Sequence, residues 1–349
     1  LSATRFVDIA TADDVALEAG EAILCVDKFA LTANNITYGV AGDLIGYWQF
    51  FPAEGDWGRI PVWGTGTVTH SNHPGMEVGQ RFYGYYPMSS YLKVKADHVT
   101  PRGFTDGADH RAALPIVYNQ YALMNEDNGF ASEYDNQHMV YRPLFTTSFV
   151  LDDYLFDNEF FGAKTIILSS ASSKTSFGLG FLLRQREDIK VIGLTSNGNR
   201  GFCENMGIYD QVVSYDEIAS LDADEAVVFV DMAGNRSVLE QLHNHYQDNM
   251  KASCGVGITH YDSRDGADPA TLPGAKPAMF FAPSQIEKRN KDWGPEQFQA
   301  NLAAAWSDFL GQVDNWVSIN EPQGRDGMLA TYETVLGGAR PDQAYVIST

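Results

Sequence analysis

The sequence is poor in cysteine and in positive charge, and it has no long apolar run. Its three cysteines, Cys25, Cys203 and Cys254, are an odd and scattered set in 349 residues. They make no disulfide framework and fit a reducing compartment. No stretch approaches the roughly 18 apolar residues that a membrane-spanning helix needs. Lys and Arg number 24 against 45 Asp and Glu, a formal charge of −21. A surface of that sign repels nucleic acid and anionic membranes, so neither is expected as a partner. The opening Leu1-Ser2-Ala3-Thr4-Arg5 lacks the apolar core of a secretory signal, and a cytoplasmic location is expected. What is present is ordinary for a globular chain: 44% hydrophobic and 20% charged residues, enough to bury the cores of two domains.

The first hundred residues read as short strands and turns. Ala22–Leu31 alternates as a strand and gives way to the polar stretch Thr32–Asn35. Ile60–Thr69 reads as two strand pieces joined at a glycine-rich bend, followed by the aromatic strand Arg81–Tyr86 and the short strand Ser90–Val94. This density of β-segments predicts a compact barrel-like region. Leu114–Met124 and Asp152–Phe161 are helix candidates, the second acidic in its first turn.

Beyond residue 160 the pattern changes. Ala163–Ser170 is a continuous apolar strand, as in a parallel sheet covered on both faces. Helix Phe177–Gln185, strand Lys190–Ser196, helix Gly201–Met206, strands Gln211–Tyr215 and Glu225–Asp231, helix Arg236–His245 and strand Lys251–Ile258 follow. Strands alternating with helices at this spacing predict βαβ units. Helices Pro295–Phe309 and Gly327–Leu336 and a strand Gln343–Ile347 close the chain.

In such a sheet a ligand lies beyond the carboxyl ends of the strands, against a helix N-terminus. The turn after the first parallel strand contains Ser170, Ala171, Ser172, Ser173, Lys174 and Thr175. Small side chains admit a pyrophosphate to the backbone amides, hydroxyls donate hydrogen bonds, and Lys174 adds charge. The G-x-G-x-x-G fingerprint is absent, and so is the leading glycine of a P-loop. The second strand ends in Thr195, Ser196, Asn199 and Arg200, with no acidic side chain to hold a ribose 2′-hydroxyl. These groups suit a 2′-phosphate, which Arg200 can bind bidentately. The cofactor expected is NADP(H).

Several segments resemble the medium-chain dehydrogenase/reductase superfamily, specifically its zinc-free quinone oxidoreductase and enoyl reductase branch. Leu31–Tyr38, with Asn35 at the asparagine, resembles the family's V-N-x-x-D-x-x segment. Gly64–Val68 with Val78–Gly84 resembles its G-x-G-x-V … V-G-D-R-V-x-G run, Gln80 replacing the aspartate. Ile192–Ser196 with Met206–Tyr215, and Val230–Asn235, resemble the strand ends of its nucleotide domain. The resemblance implies an α/β chain: a Rossmann doubly wound parallel sheet at 146–311, inserted into a GroES-like β-barrel domain of 1–145 and 312–349. It further implies NADPH binding, a small-molecule substrate and a homodimer. Residues 125–150 match nothing in the family, and Pro273–Arg289 is long enough for a lid.

No metal is expected. Gly64-Thr65-Gly66 stands where zinc-dependent members carry G-H-E, and His70 and His73 have no third partner. Reduction without metal then needs a hydride, a group that polarises a carbonyl and a proton source. Tyr38, Asn35 and Tyr118 are the catalytic candidates. Asn119 falls at the family's ribose-contacting threonine, and Tyr215, Cys254, Gly255 and Phe281 are further cofactor contacts. The predicted function is NADPH-dependent reduction of an activated C=C bond or a quinone. The alternatives are a non-catalytic NADP(H)-binding sensor or structural protein, and a non-redox lyase or isomerase on the same fold.

Overall fold

The computed structural model describes residues 1–40, 42–256 and 269–349, which divide into two units. One comprises Leu1–Val140 with Ser318–Thr349, and the other Tyr141–Val317. The expected strand end Gly257 and Ile258, and the residues that follow it to 268, lie outside the described residues.

The first unit opens with strand β1 (Glu21–Leu31), helix α1 (Ala33–Val40) and the single turn α2 (Gly42–Ile45). The polar stretch after β1 is therefore the start of a helix. Strands β2 (Pro61–Ser71), β3 (Arg81–Pro87), β4 (Tyr91–Thr100), β5 (Gly103–Asp106) and β6 (Gln120–Leu123) follow. Two expectations fail in this stretch. Pro61–Thr69 lies in one uninterrupted strand, and its glycines serve close approach. A Cβ on Gly64 would stand 2.6 Å from the Lys28 carbonyl oxygen. Leu114–Met124 is no helix: it holds the 3₁₀ turn Ile116–Tyr118 and β6, whose backbone pairs with β3 and β5. Tyr121 is fully buried between exposed or half-exposed neighbours, a period-two pattern that the apolar run concealed.

Helix α3 (Asp135–Asp157) carries Pro143 in its interior and leads into the second unit. The helix expected from Asp152 thus starts seventeen residues earlier (152 − 135), in the stretch that resembles nothing in the family, and stops at Asp157. Phe160 and Phe161 adopt left-handed φ values of +49° and +54°, which end the helical run. Then come β7 (Thr165–Leu168), α4 (Lys174–Leu183), β8 (Lys190–Thr195), α5 (Arg200–Met206), β9 (Gln211–Ser214), β10 (Val227–Asp231), α6 (Arg236–Tyr246), β11 (Met250–Gly255), β12 (Ala278–Met279), α7 (Ala282–Asp292) and α8 (Pro295–Val313). The six strands pair in parallel in the order β12-β11-β10-β7-β8-β9. Renumbered within the sheet this is 3-2-1-4-5-6, the doubly wound Rossmann topology. Ile166, Leu168, Val228 and Val230 face one core cluster, and Ile167, Val227 and Phe229 face another. Burial on both faces is why β7 and β10 carry the unbroken apolar runs Ile166–Leu168 and Val227–Val230.

The chain returns to the first unit through β13 (Ser318–Asn320), α9 (Gly324–Leu336) and β14 (Gln343–Ser348). Strands β1-β2-β3-β6-β5-β4 form a ring that closes where Glu21–Cys25 of β1 pairs with Tyr91–Lys95 of β4. Farther along, Lys28–Leu31 of β1 pairs with Tyr345–Ser348 of β14 on the same edge. A shift of register between Val26 and Lys28 marks the handover. The barrel core is filled by Leu24, Phe29, Val62, Val68, Tyr86, Phe104 and Tyr121. The fold class is a closed six-stranded GroES-like barrel plus a Rossmann sheet.

Candidate functional sites in the two units

The turn after β7 is built by its serines. Ser169, fully buried, donates its hydroxyl to Asp231 at the end of β10 (2.8 Å) and accepts the Met232 amide (2.8 Å). That latch ties the ends of β7 and β10. Ser170 takes a left-handed φ of +47°, and its amide donates to the Tyr215 phenol oxygen at 2.9 Å. Ala171 is buried, and its carbonyl accepts the Tyr209 hydroxyl at 2.6 Å. Ser173 caps α4 by accepting the Ser176 amide. The Ser172 hydroxyl accepts from the Asn199 carboxamide at 3.1 Å, which links the turn to the end of β8. Lys174 and Thr175 open the helix, where backbone amides lack intrahelical acceptors and the dipole is positive.

The glycine role of the usual fingerprint is moved, not lost. A Cβ on Gly178, in the second turn of α4, would stand 2.8 Å from the Ser148 hydroxyl, so this glycine lets α4 lie close on α3. A helix N-terminus, small or hydroxylated side chains and a close-packed first helix fit a dinucleotide pyrophosphate.

At the end of β8, Thr195 is buried while Ser196 is exposed. Arg200 stands at the start of α5 with its guanidinium engaged: Nε donates to Glu204 at 2.9 Å and Nη1 to Glu217 at 2.8 Å. Glu217 is held below the usual carboxylate range by the Ser214 backbone and by Arg200. Sequence reasoning missed Glu217 because it arrives from beyond the neighbouring strand β9, not from β8. Asp216 comes the same way and accepts from Asn197 at 3.1 Å.

Cys254 and Gly255 end β11. Burial pushes the Cys254 thiol up to about 11, so it stays a thiol at neutral pH. Phe281 caps α7 from outside, 61% exposed beside Met279 at 70%. Two basic residues of α7 are paired with carboxylates. Arg289 donates to Asp153 (2.6 Å) and Asp157 (2.8 Å), and Lys288 pairs with Asp157 and Asp292. They staple α7 to α3.

In the barrel unit the catalytic candidates separate by geometry. Asn35 is 3% exposed, and its carboxamide is consumed locally. Its Oδ1 accepts the Thr32 amide (2.7 Å) and hydroxyl (3.1 Å), and its Nδ2 donates to the Pro61 carbonyl (2.9 Å). Asn35 therefore anchors α1 to β2. Tyr38 and Tyr118 instead meet in an aromatic cluster with Tyr47, Tyr85, Phe50 and Trp63, ring centroids 4.6–6.4 Å apart. The Tyr38 phenol oxygen accepts from Asn34 Nδ2 (2.7 Å) and Trp63 Nε1 (3.2 Å). Those two donors occupy its lone pairs and leave its own proton for a third partner. Burial holds the Tyr38 hydroxyl well above its ordinary range, so it keeps its proton at neutral pH. Tyr118 and Tyr47 share a hydroxyl contact at 3.1 Å. Asn119 is buried behind them, and its Nδ2 donates to the Arg111 carbonyl at 3.2 Å.

Neither early histidine sits in a ligand set. His70 pairs with Asp13 at 3.2 Å, and His73 Nδ1 accepts the Gly75 amide. Among the described residues no three His, Cys, Asp or Glu side chains are grouped so that they could hold a metal ion, and no helix is long and apolar enough to cross a membrane.

Solved structures share this architecture along nearly the whole chain. CurA from Vibrio vulnificus in complex with NADPH superposes with a TM-score of 0.63 at 14% identity, covering 99% of this chain and 97% of that one. A mutant form of enoyl thioester reductase from Candida tropicalis gives 0.57 at 13% identity, covering 97% and 93%. The quinone oxidoreductase from Coxiella burnetii gives 0.52 at 12% identity, covering 95% and 90%. These likenesses establish the fold. No curated protein matches at the level of sequence. A family model does, over residues 29–340, and the chain belongs to that family, described as a protein of unknown function (DUF2855).

Proposed function

We propose that the chain is a zinc-free, NADPH-dependent reductase of a small molecule bearing an activated C=C bond or a quinone. The observation that carries this reading is the hydroxyl-lined turn on the N-terminus of α4, in a sheet of Rossmann order, with Arg200 as the cation at the next strand end. Ser172, Ser173, Thr175 and the first-turn amides of α4 would hold the pyrophosphate. Arg200 with Ser196 and Asn199 would take the 2′-phosphate, and Tyr215, Cys254, Gly255 and Phe281 would line the path of the dinucleotide. The structures of CurA and of YhdH from Escherichia coli with bound NADPH support the cofactor by likeness of fold.

When bound, the cofactor supplies hydride to an electron-poor carbon. The chain's own residues supply orientation and a proton. The Tyr38 hydroxyl, fixed by Asn34 and Trp63, donates to an acceptor oxygen of the substrate. Tyr118, Tyr47 and Tyr85 surround it with aromatic surface suited to a flat, conjugated molecule. Asn35 holds the helix that carries Tyr38. A cytoplasmic homodimer belongs to the same reading.

The test mixes the protein with NADPH and follows the near-ultraviolet absorbance of the reduced nicotinamide against enones, enoyl thioesters and quinones. Oxidation driven by one of these classes is the expected result. Tight binding without turnover would replace the enzyme by a sensor. No binding of NADPH would overturn the reading.

A further inference from the structure

We propose that Glu217 sets the cofactor preference of this chain, by holding Arg200 in a charge-paired edge that a 2′-phosphate must break open. The inference rests on the dinucleotide reading and assigns within it a residue that the strand-end pattern does not contain.

Arg200 is the one cation between Thr195 and Arg200, and its guanidinium is already bridged by two carboxylates, Glu204 at 2.9 Å and Glu217 at 2.8 Å. Asp216 adds a third negative group beside them through Asn197. A 2′-phosphate brought to Arg200 has to displace a carboxylate and then remain among like charges. A ribose 2′-hydroxyl has no such conflict. It needs an acceptor, and a carboxylate is the acceptor that NAD-specific sites use. The charge on Glu217 thus works against the phosphate and for the hydroxyl.

The two carboxylates differ in how firmly they stand. Glu204 is half-exposed on the surface of α5, one turn along from Arg200, and can swing away. Glu217 is tethered: Ser214 and Glu217 form a capping box at the start of a 3₁₀ helix (Tyr215–Ser220), and Glu217 Oε2 accepts the Ser214 amide at 3.4 Å while contacting Arg200. A cap fixes the carboxylate where a free side chain would rotate out. Glu217 is accordingly the discriminating residue, and Glu204 follows whatever Arg200 does. The pair is solvent-exposed, 39% and 48%, so the phosphate can break it and both cofactors gain entry.

The substitution Glu217→Gln isolates the charge, because glutamine serves at the third helical position of a capping box as glutamate does. Dissociation constants for NADPH and NADH are measured by nucleotide fluorescence titration, with thermal melting as the check on folding. Glu217→Gln is expected to raise the ratio of the NADH constant to the NADPH constant about five-fold, and Glu204→Gln by less than about two-fold, at unchanged melting temperature. An unchanged ratio in Glu217→Gln, or a larger gain from Glu204→Gln, overturns the assignment while the dinucleotide reading stands. If wild-type protein binds neither nucleotide, the dinucleotide reading falls and takes this inference with it.

Discussion

Tyr38 is the residue on which the proposed chemistry turns, and its surroundings make a sharp expectation. Two donors point at its oxygen, and burial keeps its proton in place across the neutral range. Tyr38→Phe keeps the ring packing on Tyr47 and Tyr85 and removes only the hydroxyl. Turnover with the best acceptor should fall by roughly 10²-fold, the usual worth of a positioned proton donor, while NADPH binding stays as in wild type. Steady-state rates and a nucleotide titration check the two halves; undiminished turnover would remove Tyr38 from the reaction. His243 gives a second expectation, on stability. Its Nδ1–H donates to the Pro273 carbonyl (2.8 Å) and its Nε2 accepts from Ser253 (3.0 Å), so the neutral ring is the form that fits. Burial holds its pKa below the ordinary 6.5. The unfolded chain therefore takes up a proton that the folded chain refuses. The contribution is fully present above about pH 6.5 and is lost as the pH falls below it. Urea unfolding at pH 7.5 and pH 5.5 should show that loss, and a His243→Gln variant should show a smaller one between the same two values.

At the scale of elements, α3 and α7 are held by charge as well as by apolar contact. Asp153 receives both Arg289 and Gln285, and its carboxylate and the Arg289 guanidinium are each 9% exposed. Arg289→Met would leave Asp153 enclosed without its cation, a change expected to cost about 3 kcal/mol in urea unfolding. The exposed pair Lys164–Asp188, at 76% and 83%, is the control that should cost almost nothing to break. The strands of the second unit were legible because burial on both faces leaves a continuous apolar run, as in Ile166–Leu168 and Val227–Val230. Helix α3 was not legible. Pro143 reads as a stop, and its sequence has no clear polar face to mark a helix. Of the candidate site, the serine turn could be read because its parts are consecutive. Glu217 could not, since it meets Arg200 only after β9 has folded beside β8. Asn35 reads two ways in the sequence for a related reason: an asparagine three residues past Thr32 is also what a helix start requires, and in the structure Thr32 and Pro61 take up its carboxamide.

For the molecule as a whole, the decisive feature is that the barrel unit is discontinuous in sequence. The edge of β1 is completed twice, by β4 over Glu21–Cys25 and by β14 over Lys28–Leu31, and β14 arrives more than three hundred residues after β1. Val346 and Ile347 are fully buried, and Ala344 nearly so. A chain ending at Asp342 would lose these side chains from the core and expose the second half of β1. Burying an aliphatic side chain of this size is worth about 1.5–3 kcal/mol, so the loss is roughly 3–6 kcal/mol, a large share of the about 5–15 kcal/mol that holds an ordinary domain. An unpaired strand edge with apolar neighbours is also a template for association. The truncated protein should therefore melt at lower temperature and aggregate as it does so. Its far-ultraviolet signal should lose barrel structure first, because the second unit keeps all six of its strands within residues 165–279. Differential scanning calorimetry of the full and shortened chains makes the comparison. Melting at the same temperature in both would mean that β4 alone suffices to hold β1, and that the returning strand decorates a barrel already complete without it.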